Sequence, residues 1–154
     1  MPPQSEAVLA ANAERALAVS LFNETWRLMK LERRKREQDD DMIHTAHVSA
    51  HRWRQGGKPE NFARSEWQCS RVYAVLGRGE PALWHARRCL EMCEEHGIGD
   101  WDLAFAYEAL ARAQAVAGSG DEMRRYVALA REAGERIAED DDRELLFADL
   151  ATIG

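Results

Sequence analysis

Residues 97–120 read GIGDWDLAFAYEALARAQAVAGSG. Between its two glycine pairs the segment Leu103–Ala111 is apolar almost without a break, is longer than an ordinary strand, and is built from Ala and Leu, which cost least in a helix. It predicts a helix over 100–117 that is apolar nearly all the way round and therefore lies in the middle of a packed core. The glycines mark its ends, because glycine costs about 1 kcal/mol inside a helix and favours the C-terminal cap.

The same punctuation recurs on both sides. Gly56-Gly57, Gly77/Gly79, Gly97/Gly99 and Gly118/Gly120 start 21, 20 and 21 residues apart, the length of one helix and a tight turn. Extending the series reaches Arg33-Arg34-Lys35-Arg36 before Asp39-Asp40-Asp41, and Glu139-Asp140-Asp141-Asp142. Cations gather where a helix ends and carboxylates where one begins. Seven helices follow, at about 5–35, 40–55, 60–76, 80–96, 100–117, 121–139 and 142–152, with Pro59 and Pro81 near two of the starts. Ile43, Ala46, Ala50 and Trp53 recur at helical intervals, and Phe62, Trp67, Cys69, Tyr73 and Leu76 occupy a broad face of the third helix. The 154 residues, 45% hydrophobic and 31% charged with 25 alanines and only four prolines, describe a single domain. No alternating run flanked by hairpin signals occurs, so the expected fold is all-α without a sheet.

Helices separated by turns every 20 or so residues make hairpins, and the chain resembles itself at an offset of 41. Leu21, Phe62 and Leu103 align; so do Leu28, Cys69 and Leu110, Trp26 and Trp67, the cations Lys30, Arg71 and Arg112, Gly77 and Gly118, and Cys89 and Ala130. The stretch Tyr73-Ala74-Val75-Leu76-Gly77 with Ala82, Ala86 and Cys89-Leu90 resembles a tetratricopeptide repeat, and Ala111, Ala117-Gly118, Val127 and Ala130 look like a second copy. The likeness covers residues 60–135 well and 20–58 poorly. Its usual period is 34, and Met123 stands where a small residue is expected, so the helices are longer than standard. As a whole the chain resembles small stand-alone bacterial proteins of this repeat type, which adds no chemistry. The resemblance implies one right-handed stack of antiparallel hairpins, about 5–57, 60–97 and 100–139, closed by a capping helix at 142–152.

It also implies that the first helix of each hairpin lines a concave surface. On this sequence that ladder comprises Asn23, Trp26, Lys30, Arg64, Trp67, Gln68, Arg71, Phe105, Glu108 and Arg112. Guanidinium groups grip carboxylates with paired hydrogen bonds, and indoles add apolar area at small entropic cost, so the surface suits an acidic or carboxylate-bearing peptide. The competing reading is that the tryptophans pack between helices and the cations pair with Glu24, Glu66 or Glu108.

The sharp alternative is a metal-dependent hydrolase. His44, His47 and His51 form one stripe of the second helix, yet His44 and His51 are about 10 Å apart along the axis, too far to share one ion. Glu24 or His85 on neighbouring helices would have to complete a site with an open position for water. The half-buried stripe is equally consistent with packing or hydrogen bonding. His85, Cys89, Cys93 and His96 form a second ladder, but four ligands strung along about 16 Å of one helix cannot close a tetrahedron. Buried cysteine behaves as a small hydrophobe, and Ala130 matches Cys89 one repeat on. No HExxH, GxGxxG, phosphate loop or nucleophile elbow occurs. A third class, a small-molecule sensor, would use the same tryptophans and arginines to line an enclosed pocket.

Net charge −6 argues against nucleic acid: residues 1–58 carry ten Lys/Arg against eight Asp/Glu, and residues 59–154 carry eleven against nineteen. Three cysteines, the absence of a long apolar run and a start without a basic flank or apolar stretch lead to the expectation of a cytoplasmic protein that neither spans a membrane nor is exported. Val8, Leu9 and Val19 on the first helix exceed what the second can cover, which predicts a homodimer. The expected role is a protein- or peptide-binding module that needs no cofactor and catalyses nothing.

Overall fold

The computed structural model describes residues 5–154. Seven helices follow one another in these residues: α1 (Glu6–Met29), α2 (Arg36–Gly56), α3 (Pro59–Val75), α4 (Gly79–His96), α5 (Asp100–Ala117), α6 (Gly120–Gly134) and α7 (Asp140–Leu150). No strand occurs among the described residues. The pairs α1/α2, α3/α4 and α5/α6 pack as antiparallel hairpins, and α4–α5 and α2–α3 contacts join them. Among the odd helices, α1 meets α3, α3 meets α5 and α5 meets α7, so they form one layer and α2, α4 and α6 the other.

Three boundaries differ from the sequence reading by four residues or more: α2 starts at Arg36 rather than 40, and α1 and α6 end early. α1 stops at Met29 rather than near 35, because the Arg34 guanidinium turns back to donate to the carbonyls of Met29 (3.3 Å) and Leu31 (3.5 Å) and also bonds Asp39 (2.7 Å). Arg33, Arg34 and Lys35 are thus a linker, with Arg34 capping α1 from outside, and Arg36 opens α2. α6 stops at Gly134 rather than 139. A Cβ at Gly134 would lie 2.5 Å from Leu146 Cδ2, so glycine there lets α7 approach, and Ile137 just beyond is buried. α5 ends at Gly118 in the left-handed region (φ 83°), which other residues enter only with strain.

α5 is the most buried helix, with Ala104, Phe105, Ala106, Ala109, Leu110, Ala111 and Ala113 all inside. Alanines face alanines where α4 meets α5 (Ala82 and Ala86 against Ala109 and Ala113), and these small residues bring the two backbones close. Leu28, Met42, Ala46, Cys69 and Val72 join α1, α2 and α3. Leu146 and Leu150 of α7 close the other end against Ala104, Phe105, Ala130 and Ile137. Full burial of one such leucine contributes about 1.5–3 kcal/mol. No helix among the described residues is long and apolar enough to cross a membrane.

Candidate functional site

The odd-helix layer encloses a groove of about 860 Å³, with α3 and α5 as its floor and α1 and α7 as its walls. Asn23, Trp26, Arg27 and Lys30 come from α1, Arg64, Trp67 and Arg71 from α3, Trp101, Asp102 and Phe105 from α5, and Asp142, Leu145 and Asp149 from α7. The offset of 41 explains the register. Alternate helices run in the same direction, so residues one repeat apart stand side by side, as Trp26 and Trp67 do. Trp26 and Trp67 lie 5.4 Å apart between ring centroids, Trp67 meets Phe105 edge-on at 5.9 Å, and Trp101 meets Phe105 at 6.4 Å. Such edge-on contacts hold the rings at fixed angles. The buried indole N–H of Trp67 finds no acceptor.

The cations are less available than their number suggests. Arg64 grips both oxygens of Asp102 at 2.9 Å and lies 4.3 Å over the Trp101 ring; the hydrogen bond to Asp102 holds its pKa above the ordinary guanidinium value. Arg27 pairs with Glu24 at 2.6 Å. Arg71 and Arg112 share the buried Glu108, at 3.2 Å and 2.7 Å. Burial pushes the Glu108 carboxyl upward against the pull of Arg112 and Arg71, and its second oxygen has no partner. Arg112 also donates to the Asp149 carbonyl and Thr152 Oγ1, at 2.9 Å and 2.8 Å. Lys30 is exposed and makes no ion pair with any described residue.

Asn23, Trp26, Lys30, Arg64, Trp67, Arg71 and Phe105 therefore line one groove. Three expected members do not. Gln68 is buried and donates to the Phe22 carbonyl at 3.0 Å, bracing α3 on α1. Glu108 lies fully buried beneath the floor between its two arginines, and Arg112 is turned away toward Thr152 at the C-terminal end of α7. Lys30, Arg71 and Arg112 thus do not all open on one hollow. Arg27, Trp101, Asp102 and the α7 wall were absent from the sequence-based set. Asp149 had a signal: it stands 41 residues after Glu108, itself 41 after Trp67.

The proposed metal ligands are scattered. His44 and His51 are exposed, and Glu24 lies on α1, held by Arg27. Only His47 and His85 meet, with ring centroids 5.3 Å apart. His47 Nε2 bonds the Tyr73 hydroxyl at 2.8 Å, His85 Nδ1 bonds Glu66 at 2.6 Å, and Tyr73 stacks on His85. Burial first, and His85 second, hold the His47 imidazole below its ordinary pKa. No three His, Cys, Asp or Glu side chains among the described residues are placed to hold one metal ion. Cys69, Cys89 and Cys93 are buried thiols; burial pushes the Cys69 thiol well above its ordinary value. This pattern is a hydrogen-bonded packing cluster between α2, α3 and α4. No protein-family model, curated protein or solved structure matches this chain.

Proposed function

We propose that the chain is a non-catalytic binding module of the tetratricopeptide kind, which takes a carboxylate-bearing, apolar segment of a partner protein into the groove between α1 and α7. The observation that carries this is the juxtaposition of an exposed Lys30, unpaired among the described residues, with the contacting rings of Trp26, Trp67 and Phe105. The tryptophans supply apolar area that costs little entropy to bury, and Lys30 supplies the charge that orients the segment. A groove of this volume falls within the range of known ligand sites. Three buried, unlinked thiols support a reducing cytoplasm as its place. Val8, Leu9 and Val19, all exposed on α1, support a second copy covering that helix.

The test uses fluorescein-labelled peptide pools with a randomised apolar and aromatic centre and glutamates at one end only, at either the leading or the trailing end, followed by anisotropy with the wild-type protein and with Lys30→Glu. Saturable binding that weakens about fivefold or more in the variant is expected, the size of an exposed ion pair turned into a repulsion. Pools that fail to bind, or that bind both proteins equally, overturn the reading.

A further inference from the structure

The two walls of the groove differ in charge. On the α1 side stand Arg27, neutralised by Glu24, and the unpaired Lys30. On the α7 side stand Asp142, which pairs with no cation among the described residues, and Asp149, which Arg71 reaches only at 3.9 Å. The repeat explains the asymmetry. In the middle of the stack two cations find an acid 37 or 38 residues on, Arg71 with Glu108 and Arg64 with Asp102, so the floor neutralises itself. For Lys30 the corresponding position is Trp67, an aromatic ring, and its partner is missing. At the far end the cation one residue on from Asp142, Arg143, pairs with Asp140 instead, and Asp142 is left without a partner among the described residues. The ladder is left with one positive group at its first rung and one negative group at its last.

From this we infer that the ligand is charge-segregated: a peptide segment acidic at the end lying on α1, basic at the end lying on α7, and apolar or aromatic between. This deepens the binding-module reading and rests on it. A uniformly acidic segment would satisfy Lys30 and meet Asp142 and Asp149 with like charge, a cost that restricts partners as much as the attraction selects them. α1 and α7 are separated by three helix-to-helix steps of about 8–10 Å along a concave surface, which an extended segment of roughly seven residues bridges.

The experiment uses four pools of eight-residue peptides with blocked termini and the same randomised apolar centre. One pool has two glutamates before the centre and two lysines after it, one has the reverse order, one has glutamates at both ends and one has lysines at both ends. A fifth pool replaces the trailing glutamates of the second by a free C-terminus, which tells a side-chain carboxylate from a terminal one. One of the two charge-segregated orders should bind about fivefold tighter than the all-glutamate pool, and Asp142→Lys should remove that advantage by strengthening the all-glutamate pool. If the all-glutamate pool binds wild type as tightly as either mixed order and Asp142→Lys changes nothing, charge segregation is wrong while carboxylate binding at Lys30 stands. If no pool binds, both readings fall.

Discussion

Removing the Glu108 carboxylate is the sharpest perturbation the structure offers. Its side chain is fully buried, while Arg71 and Arg112 are 18% and 16% exposed, so Glu108→Ala strands two largely desolvated guanidiniums. Arg112 keeps the Asp149 carbonyl and Thr152 Oγ1, but Arg71 keeps only Asp149 at 3.9 Å. Arginine cannot escape by losing its proton. Breaking a buried pair from one side costs about 3–5 kcal/mol, and the cavity left by the side chain adds to it. In a chain of this length that corresponds to a fall in Tm of about 10 °C. Urea denaturation followed by circular dichroism at 222 nm measures it directly. Arg71→Ala should cost less, since Glu108 then keeps Arg112, and Glu108→Gln should fall between because an acceptor and most of the volume remain. A Glu108→Ala protein within about 1 kcal/mol of wild type would refute the idea that this triad braces α3, α5 and α7 under the groove.

Three further outcomes follow from the packing. The His47 imidazole is held below its ordinary value of about 6.5 by burial and then by the neighbouring His85 and His44, against the opposing pull of Glu66. A histidine with a depressed folded pKa contributes stability that is present above 6.5 and lost as pH falls below it. The urea midpoint should therefore drop between pH 7.5 and 5.5, and drop less in His47→Gln; equal drops would contradict it. Leu146→Ala, at a position with no exposure, should cost about 2–5 kcal/mol, and truncation before α7 should cost at least as much; an unchanged melting temperature for the truncated chain would show that α7 is no cap. Sedimentation at tens of micromolar should show a dimer that Leu9→Glu dissociates, whereas a wild-type monomer would remove the proposed role of the exposed α1 face.

The helices were legible because glycine and alanine act locally. Gly118 ends α5 where its left-handed backbone demands it, and the alanines of α4 and α5 announce close packing. Boundaries failed where a side chain reached across space: nothing local says that Arg34 will fold back on Met29. In the site, the offset of 41 brought Trp26 and Trp67 together and placed Lys30 and Arg71 on one groove. It did not reveal which cations are already paired, because Glu108 lies on the same helical ladder and only depth distinguishes an acid beneath the floor from one on it. Asp142 was equally hidden. Its run marks the start of a helix, and it becomes part of a wall only once α7 packs against α5 and α6.

The chain carries five tryptophans, three in the groove and two, Trp53 and Trp84, outside it, which makes a direct readout of where a ligand sits. Proton–nitrogen correlation spectra of the indole N–H groups, recorded while a charge-segregated peptide pool is added, should move Trp26, Trp67 and Trp101 and leave Trp53 and Trp84 in place. Movement confined to Trp53 and Trp84, or no movement at any indole, would contradict a binding groove between α1 and α7.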